Sequence, residues 1–486
     1  MERKNIYVCM LAALLSCSDS VKVSRTLDEM PAVFPDYNGV VIPPNIAPLN
    51  FALDGQNAGS SAVFSFEGQQ FEVKGKKGGF VIPPSKWKKL LESAAGKSIQ
   101  VTVRVKQGNE WMAYSPLTIR VAPEKIDAYL AYRLIDPGYE LWNKMGIYQR
   151  DLESYTQTPI IENKMSGNNC VNCHSFCMQN PDKMLFHMRE TFPGTILVDG
   201  DKIEKLNTKT KETISSLVYP SWHPSGKYVA FSVNTTKQAF HLNDKNRVEV
   251  YDEASDVVVY DVEKHEIVTA SNIFSKDAFE TFPTFSPDGK TLYFCTAEAR
   301  PIPQEYSEVK YSLCSVSFDP STRAFGTQVD TLYKAKEGGM SASFPRVSPD
   351  GRYLLYTLSG YGNFSIWHKD ADLYMADLRT GTSRPLTEVN SDDVESYHSW
   401  SSNSRWFVFS SRRIDGLYTR PYIAYVDEDG KVGKPFLLPQ KDTEFYHSFM
   451  KSFNIPEFIT GKVKEQGRVL AIKAKEDKGT DVRFAK

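Results

Sequence analysis

Long apolar runs, charge of one sign, cysteine and histidine are all in short supply in this sequence. Beyond the N-terminus no segment reaches about 18 apolar residues, which excludes a spanning helix in the body of the chain. The formal net charge is -1, so no basic excess points to nucleic acid or to an anionic membrane surface. No Gly-x-Ser-x-Gly elbow, His-Glu-x-x-His or phosphate-binding glycine loop occurs, which counts against a hydrolase. With 7 cysteines and 8 histidines in 486 residues, any close grouping of the two is improbable by chance and therefore informative.

What is present is ordinary globular composition, 41% apolar and 24% charged, with 25 Tyr, 28 Phe and 7 Trp. The length predicts two or three domains, and the aromatics favour β-structure. Arg3 and Lys4 precede an apolar run from Ile6 to Leu15 that ends at Ser16-Cys17, the pattern of a signal peptide. Leu14-Leu15-Ser16-Cys17 resembles a bacterial lipobox, which implies cleavage before Cys17 and lipidation of that residue. The expected organisation is a signal peptide over 1–17, a polar tether over 18–30 and a β-sandwich over 31–122. A short helical or irregular connector over 123–183 and a six-bladed β-propeller over 184–486 follow. The sandwich rests on period-two strands such as Ile99–Val105, on a hairpin around Glu67-Gly68-Gln69, and on one short helix from Ser85 to Ser93. In the connector, Ile126, Tyr129, Leu130 and Leu134 carry a helical period that Pro137-Gly138 breaks.

The most specific motif is Cys170-Val171-Asn172-Cys173-His174, the attachment signature of a c-type haem. Each thiol adds to one vinyl group, and the adjacent imidazole ligates the iron. Cys177 leaves a second reading open, with Cys170, Cys173, His174 and Cys177 around zinc, and a redox dithiol is a third. For the distal haem position His187, beside Met184 and Met188, is favoured over Met178. The competing reading of His187 is a packed strand residue.

The second half repeats itself. Copies begin at Tyr219-Pro220-Ser221-Trp222, Phe282-Pro283-Thr284-Phe285, Phe344-Pro345-Arg346-Val347 and Tyr397-His398-Ser399-Trp400, with a fifth start at Tyr446-His447-Ser448-Phe449. Pro-Asp-Gly or a variant turns the chain into a second apolar strand in each full copy. A period of roughly 50 to 60 residues with about four strands per copy reads as propeller blades. Residues 184–210 would supply a first blade, and Arg468–Ile472 would help build the last. These repeats resemble those of the TolB-like family of periplasmic β-propellers. The arrangement also resembles exported lipoproteins of Bacteroides-like bacteria with a cytochrome-like motif before such a propeller. The resemblance implies a propeller that binds a protein partner or supports a neighbouring domain.

The function expected on this basis is that of an exported, lipid-anchored c-type haem protein in one-electron transfer or haem-dependent redox chemistry. The alternative is a propeller lipoprotein binding a protein or glycan, with the cysteine cluster holding zinc or a disulfide. A lyase or hydrolase acting on polysaccharide in a central channel is a third reading. Expected partners are a redox or envelope protein, the outer membrane through the anchor alone, and a glycan; nucleic acid is not expected. His398 and His447 occupy equivalent repeat positions and are expected to face the channel together, while His241, His265 and His368 read as surface or loop residues. Cys295 and Cys314, on consecutive strands, are either a disulfide or two buried thiols. Arg412, Arg413, Asp415 and Arg420 form a polar cluster near a blade edge.

Overall fold

The structure, a computed structural model of the chain, describes residues 22–55, 59–136, 144–464 and 466–485. The signal sequence with Cys17, and the break expected at Pro137-Gly138, lie outside the described residues. Among the described residues no helix is long and apolar enough to cross a membrane.

The N-terminal part is built on Ser98–Gln107, whose alternating Ile99, Val101, Val103 and Val105 are buried. This strand pairs antiparallel with Ser60–Phe66, Glu110–Ala113 and Leu117–Val121. Val23–Thr26 and Val41–Ile42 then join the edges in parallel, giving an open seven-stranded mixed sheet. The predicted hairpin forms between Ser60–Phe66 and Gln69–Lys74. The predicted helix is Pro84–Ala94, with proline at its start, where no backbone donor is needed. Trp87, Leu90, Leu91 and Ala94 repeat at helical spacing and are buried, Trp87 edge-on to Phe64 at 6.1 Å. A three-stranded sheet of Val33–Phe34, Phe51–Leu53 and Gly79–Phe80 completes this part.

Six further sheets follow, each led by one inner strand. These are β1 (Cys170–Phe176), β2 (Leu217–Trp222), β3 (Ala278–Phe285), β4 (Ser341–Val347), β5 (Glu395–Trp400) and β6 (Ser452–Ile459). Strands β1 to β5 each lead three antiparallel partners that follow directly in sequence. The sheet of β6 is different: its partners are Tyr129–Ile135, Gly146–Asp151 and Gln157–Glu162, from far upstream. Thr480–Asp481 and Arg483–Phe484 add as parallel edge strands to the sheets of β1 and β2. Each inner strand touches the next, β1 to β2 and so on to β6, and β6 touches β1.

One local device recurs in all six inner strands. Each carries a bulge in which two residues oppose one: Cys173-His174, Tyr219-Pro220, Phe282-Pro283, Phe344-Pro345, Tyr397-His398 and Ile455-Pro456. The first residue of each pair has φ between 48° and 52°, a left-handed conformation that costs a bulky side chain roughly 1–3 kcal/mol. The residue opposite each bulge is aromatic: Phe186, Phe231, Phe294, Tyr356, Phe409 and Tyr132. A bulge leaves its second residue outside the ladder, which is why proline, lacking a donor, is accommodated there four times.

Several expectations are corrected here. The chain is mainly β, but its sheets are open and of mixed topology. Neither a β-sandwich nor a closed six-bladed propeller of the TolB-like kind is borne out. Instead of a second full sheet, a helix and a three-stranded sheet pack on the N-terminal sheet. The helical or irregular connector is strand, because Tyr129–Ile135 gains ladder partners on both sides, which outweighs its helical spacing of apolar residues. Conversely, Arg468–Ile472 lies in the helix Gly467–Ala474. The fifth repeat start, Tyr446-His447, falls in the helical turn Phe445–Ser448.

Candidate functional site

The six inner strands converge on one cavity of about 150 Å³. Its floor is the layer of left-handed aromatic residues. Tyr219, Phe344 and Tyr397 line the cavity; Phe344 lies tilted against Phe282 with ring centroids 3.9 Å apart, and Tyr219 and Tyr397 meet this pair edge-on at 4.8 Å each. Pro224, Pro287 and Pro349 line it from the turns that follow β2, β3 and β4, together with Met178 and Gln179 after β1. Between turns and floor lie the residues after each bulge: Ser175, Ser221, Thr284, Arg346, Ser399 and Glu457. Trp222 Nε1 donates to the carbonyl of Ser175 at 3.2 Å and Trp400 Nε1 to that of Arg346 at 3.0 Å, fastening neighbouring inner strands together.

The walls differ in chemistry. Strands β4, β5, β6 and β1, consecutive in space, present Arg346, His398, Glu457 and His174. Strand β2 presents Pro220-Ser221 and β3 presents Thr284 at the same level, and Ser221 Oγ donates to Thr284 Oγ1 at 3.3 Å. His174 and His398 thus occupy the bulge position that elsewhere holds proline. Their rings are 2% and 3% exposed, and neither nitrogen of either ring has a hydrogen-bond partner of good geometry. Burial pulls the pKa of both down to about 3, helped at His174 by the positive charge of Arg133 and at His398 by that of Arg346. Both imidazoles are therefore neutral, each with one donor and one acceptor to offer.

Arg346 and Glu457 are the two charged residue types in the lining. Burial raises the Glu457 carboxyl to about 8, against the opposing effects of the Phe176 amide, which donates to Oε1 at 3.0 Å, and of Arg346. At neutral pH it is mostly protonated. Burial also lowers the pKa of Arg346, yet a guanidinium keeps its proton. Among the described residues its guanidinium makes one hydrogen bond, from Nη1 to the carbonyl of Pro345, at 2.9 Å. The cavity therefore presents a guanidinium beside a carboxyl whose burial favours its neutral form.

The haem and zinc expectations are overturned by this geometry. Cys170-Val171-Asn172-Cys173-His174 lies within β1, and Cys173-His174 is one of six equivalent bulges. Cys173 faces the cavity, whereas Cys170 is outside the lining and sits near Arg133 and Arg189. The two thiols are thus not offered to a common porphyrin edge. A space of about 150 Å³ accommodates one benzene-sized ring in other proteins, far less than a porphyrin. Cys177 is buried, its thiol raised by burial to about 11. Among the described residues no group of three or more His, Cys, Asp or Glu is placed to hold a metal ion. His187 lies in Lys183–Arg189, opposite Asn172, with Nδ1 3.1 Å from Thr195 Oγ1. It is a packed strand residue.

Other candidates separate similarly. His447 is not the counterpart of His398; His174 is. His223 is held by Ser225 Oγ at 2.7 Å and the Gly289 carbonyl at 3.0 Å. His368, read as a surface residue, is fully buried with Nε2 2.9 Å from Glu249. Cys295 and Cys314 are buried free thiols. Arg412 stacks on Trp367 at 3.3 Å, Arg413 pairs with Glu395 at 2.8 Å, and Arg420 donates to the carbonyls of Lys451 and Phe449. That cluster is structural. Arg346 and Glu457 were not singled out by sequence reasoning. The signal available was their place after an aromatic-Pro or Ile-Pro pair, at a position where other copies carry Ser or Thr.

No family model matches the chain, and no curated protein matches it. Solved structures align loosely. The tricorn protease aligns with TM-score 0.28 and 9% identity, over 80% of this chain and 34% of that one. Prolyl oligopeptidase B from Galerina marginata gives 0.34 and 8%, over 70% and 42%. Dipeptidyl peptidase 4 from Porphyromonas gingivalis gives 0.28 and 11%, over 64% and 52%. The chain spans about half or less of the length of these proteins, and likeness at this level assigns neither fold nor activity.

Proposed function

We propose that this chain is a binding protein whose cavity takes a small, ring-sized organic anion. The observation that carries the reading is Arg346, a half-buried cation on the cavity wall that makes no ion pair among the described residues. Leaving such a charge unpaired in a low-dielectric interior is costly, and a bound carboxylate relieves that cost through charge-assisted hydrogen bonds. The protonated state of Glu457 favours the same charge, since it adds a donor and no negative charge. Binding is favoured over catalysis because an imidazole with a pKa of about 3 is a poor general base at neutral pH.

The direct test is calorimetric titration with cyclohexanecarboxylate against cyclohexylmethanol, its uncharged analogue. Saturable binding of the acid and none of the alcohol is expected; equal binding of both would remove Arg346 from the explanation. The affinity should also depend on pH. Glu457 is faced by Arg346, His398, His174 and the Phe176 amide, none of which changes charge between pH 7 and 9. Ionisation of Glu457 above about 8 places a negative charge beside the ligand, so affinity should fall, approaching about tenfold per pH unit. A flat profile from pH 7 to 9 would contradict this role. By linkage, the stability that goes with protonated Glu457 is fully present below its ordinary range and is lost as pH rises through about 8.

The same proposal places the chain in the cell envelope, anchored by lipid on Cys17 and working beside envelope partners. Metabolic labelling with a tagged fatty acid should mark the wild type and not Cys17→Ala. Labelling of both would refute the anchor.

A further inference from the structure

We propose that the anion this cavity takes is a monosaccharide acid, a single pyranose ring bearing a carboxylate, of the hexuronic acid class. This rests on the anion-binding reading above and specifies its ligand. Three observations narrow the class. The space is that of one six-membered ring. The polar groups sit on one continuous wall: Arg346, His398, Glu457 and His174 belong to strands that follow one another around the cavity. Finally, the two histidines are more than nine-tenths buried, and none of their four ring nitrogens has a hydrogen-bond partner of good geometry, the backbone of Ile455 near His174 and of Phe344 and Leu355 near His398 being poorly aligned.

A carboxylate alone would satisfy Arg346 and leave both imidazoles unpaired, at a cost for each buried polar group. Each neutral imidazole is a donor on one nitrogen and an acceptor on the other. A hydroxyl, which also both donates and accepts, is the ligand group that fits such a pair. Several hydroxyls and one carboxylate around a single ring define a sugar acid. The opposite side suits its carbon face, since Pro220 lines it there and Tyr219, Phe285, Phe344 and Tyr397 supply aromatic lining. A pyranose has this division, with oxygens at its rim and C–H groups on its faces.

The experiment compares glucuronate, cyclohexanecarboxylate and glucose by calorimetry on the full chain, in the wild type and in His174→Leu/His398→Leu. Glucuronate is expected to bind at least about tenfold more tightly than cyclohexanecarboxylate, the gain from two or more neutral hydrogen bonds. The double variant should erase that difference, with a single cooperative thermal transition showing that the variant is folded; a glucuronate preference that survives in the folded double variant would overturn the sugar-acid assignment. If cyclohexanecarboxylate equals or exceeds glucuronate in the wild type, the sugar-acid assignment falls and the anion reading stands. Failure of both acids to bind overturns the anion reading and this one with it. Glucose binding as tightly as glucuronate would likewise overturn both, because the carboxylate would then contribute nothing.

Discussion

Arg346→Met should abolish measurable binding of a carboxylate ligand while leaving the fold as stable as before, or more so. Methionine retains most of the length and apolar bulk of arginine but carries no charge and no donors. The carboxylate then loses its charge-assisted hydrogen bonds, for which a drop of about a hundredfold or more in affinity is a reasonable scale, at 1.4 kcal/mol per tenfold. The stability expectation runs the other way, because the cation removed is half-buried and makes no ion pair among the described residues. A merely structural arginine would show the reverse pattern, with unchanged affinity and a lowered melting temperature. Arg346→Lys should fall between, keeping charge without the planar fork. Unchanged affinity in Arg346→Met would end the anion reading.

The second large effect is on stability. Phe344 is 4% exposed, stacks on Phe282 at 3.9 Å and receives Tyr397 at 4.8 Å. Phe344→Ala removes the middle of the aromatic floor, and losses of about 3–5 kcal/mol are usual for such a truncation. The left-handed backbone at this position, φ 52°, is no easier for alanine, so no strain is relieved in compensation. The protein should unfold at markedly lower denaturant concentration, and ligand affinity should fall as the floor opens. Leu242→Ala, at a side chain 95% exposed, should stay within about 0.5 kcal/mol of the wild type. A change of less than about 1 kcal/mol at Phe344 would mean that the floor contributes little.

Four of the six inner strands were legible because their turns are written in Pro, Ser, Asp, Asn and Gly, whose backbone preferences are strong and local. The other two were hidden for separate reasons. At β1 the copy reads Cys173-His174-Ser175-Phe176, and its cysteine and histidine answer equally well to a haem signature. That signature is a matter of spacing along the chain. The structure places the pair in a bulge, where Cys173 turns to the cavity and Cys170 does not. At β6, Ile455-Pro456-Glu457-Phe458 is a faithful copy, but its partner strand Tyr129–Ile135 comes from far upstream, a pairing that no local pattern records. Tyr446-His447-Ser448-Phe449 copied the β5 letters more closely and lies in a helical turn. The site was legible in part: His174 and His398 were singled out, each for another role. The polar wall they form depends on which strands become neighbours, and that is a tertiary fact.

The late arrival of β6 has a consequence for biosynthesis. Tyr129–Ile135 leaves the ribosome with one edge bare and remains so until Ser452–Ile459 is made. With some 300 residues between them and elongation at about 5–20 residues per second, the wait is roughly 15 to 60 s. A bare strand edge is a template for wrong pairing, and that hazard lasts for the whole of the interval. A polypeptide terminated before Ser452 keeps the edge open for good, so completion of the chain through the last inner strand is what closes it.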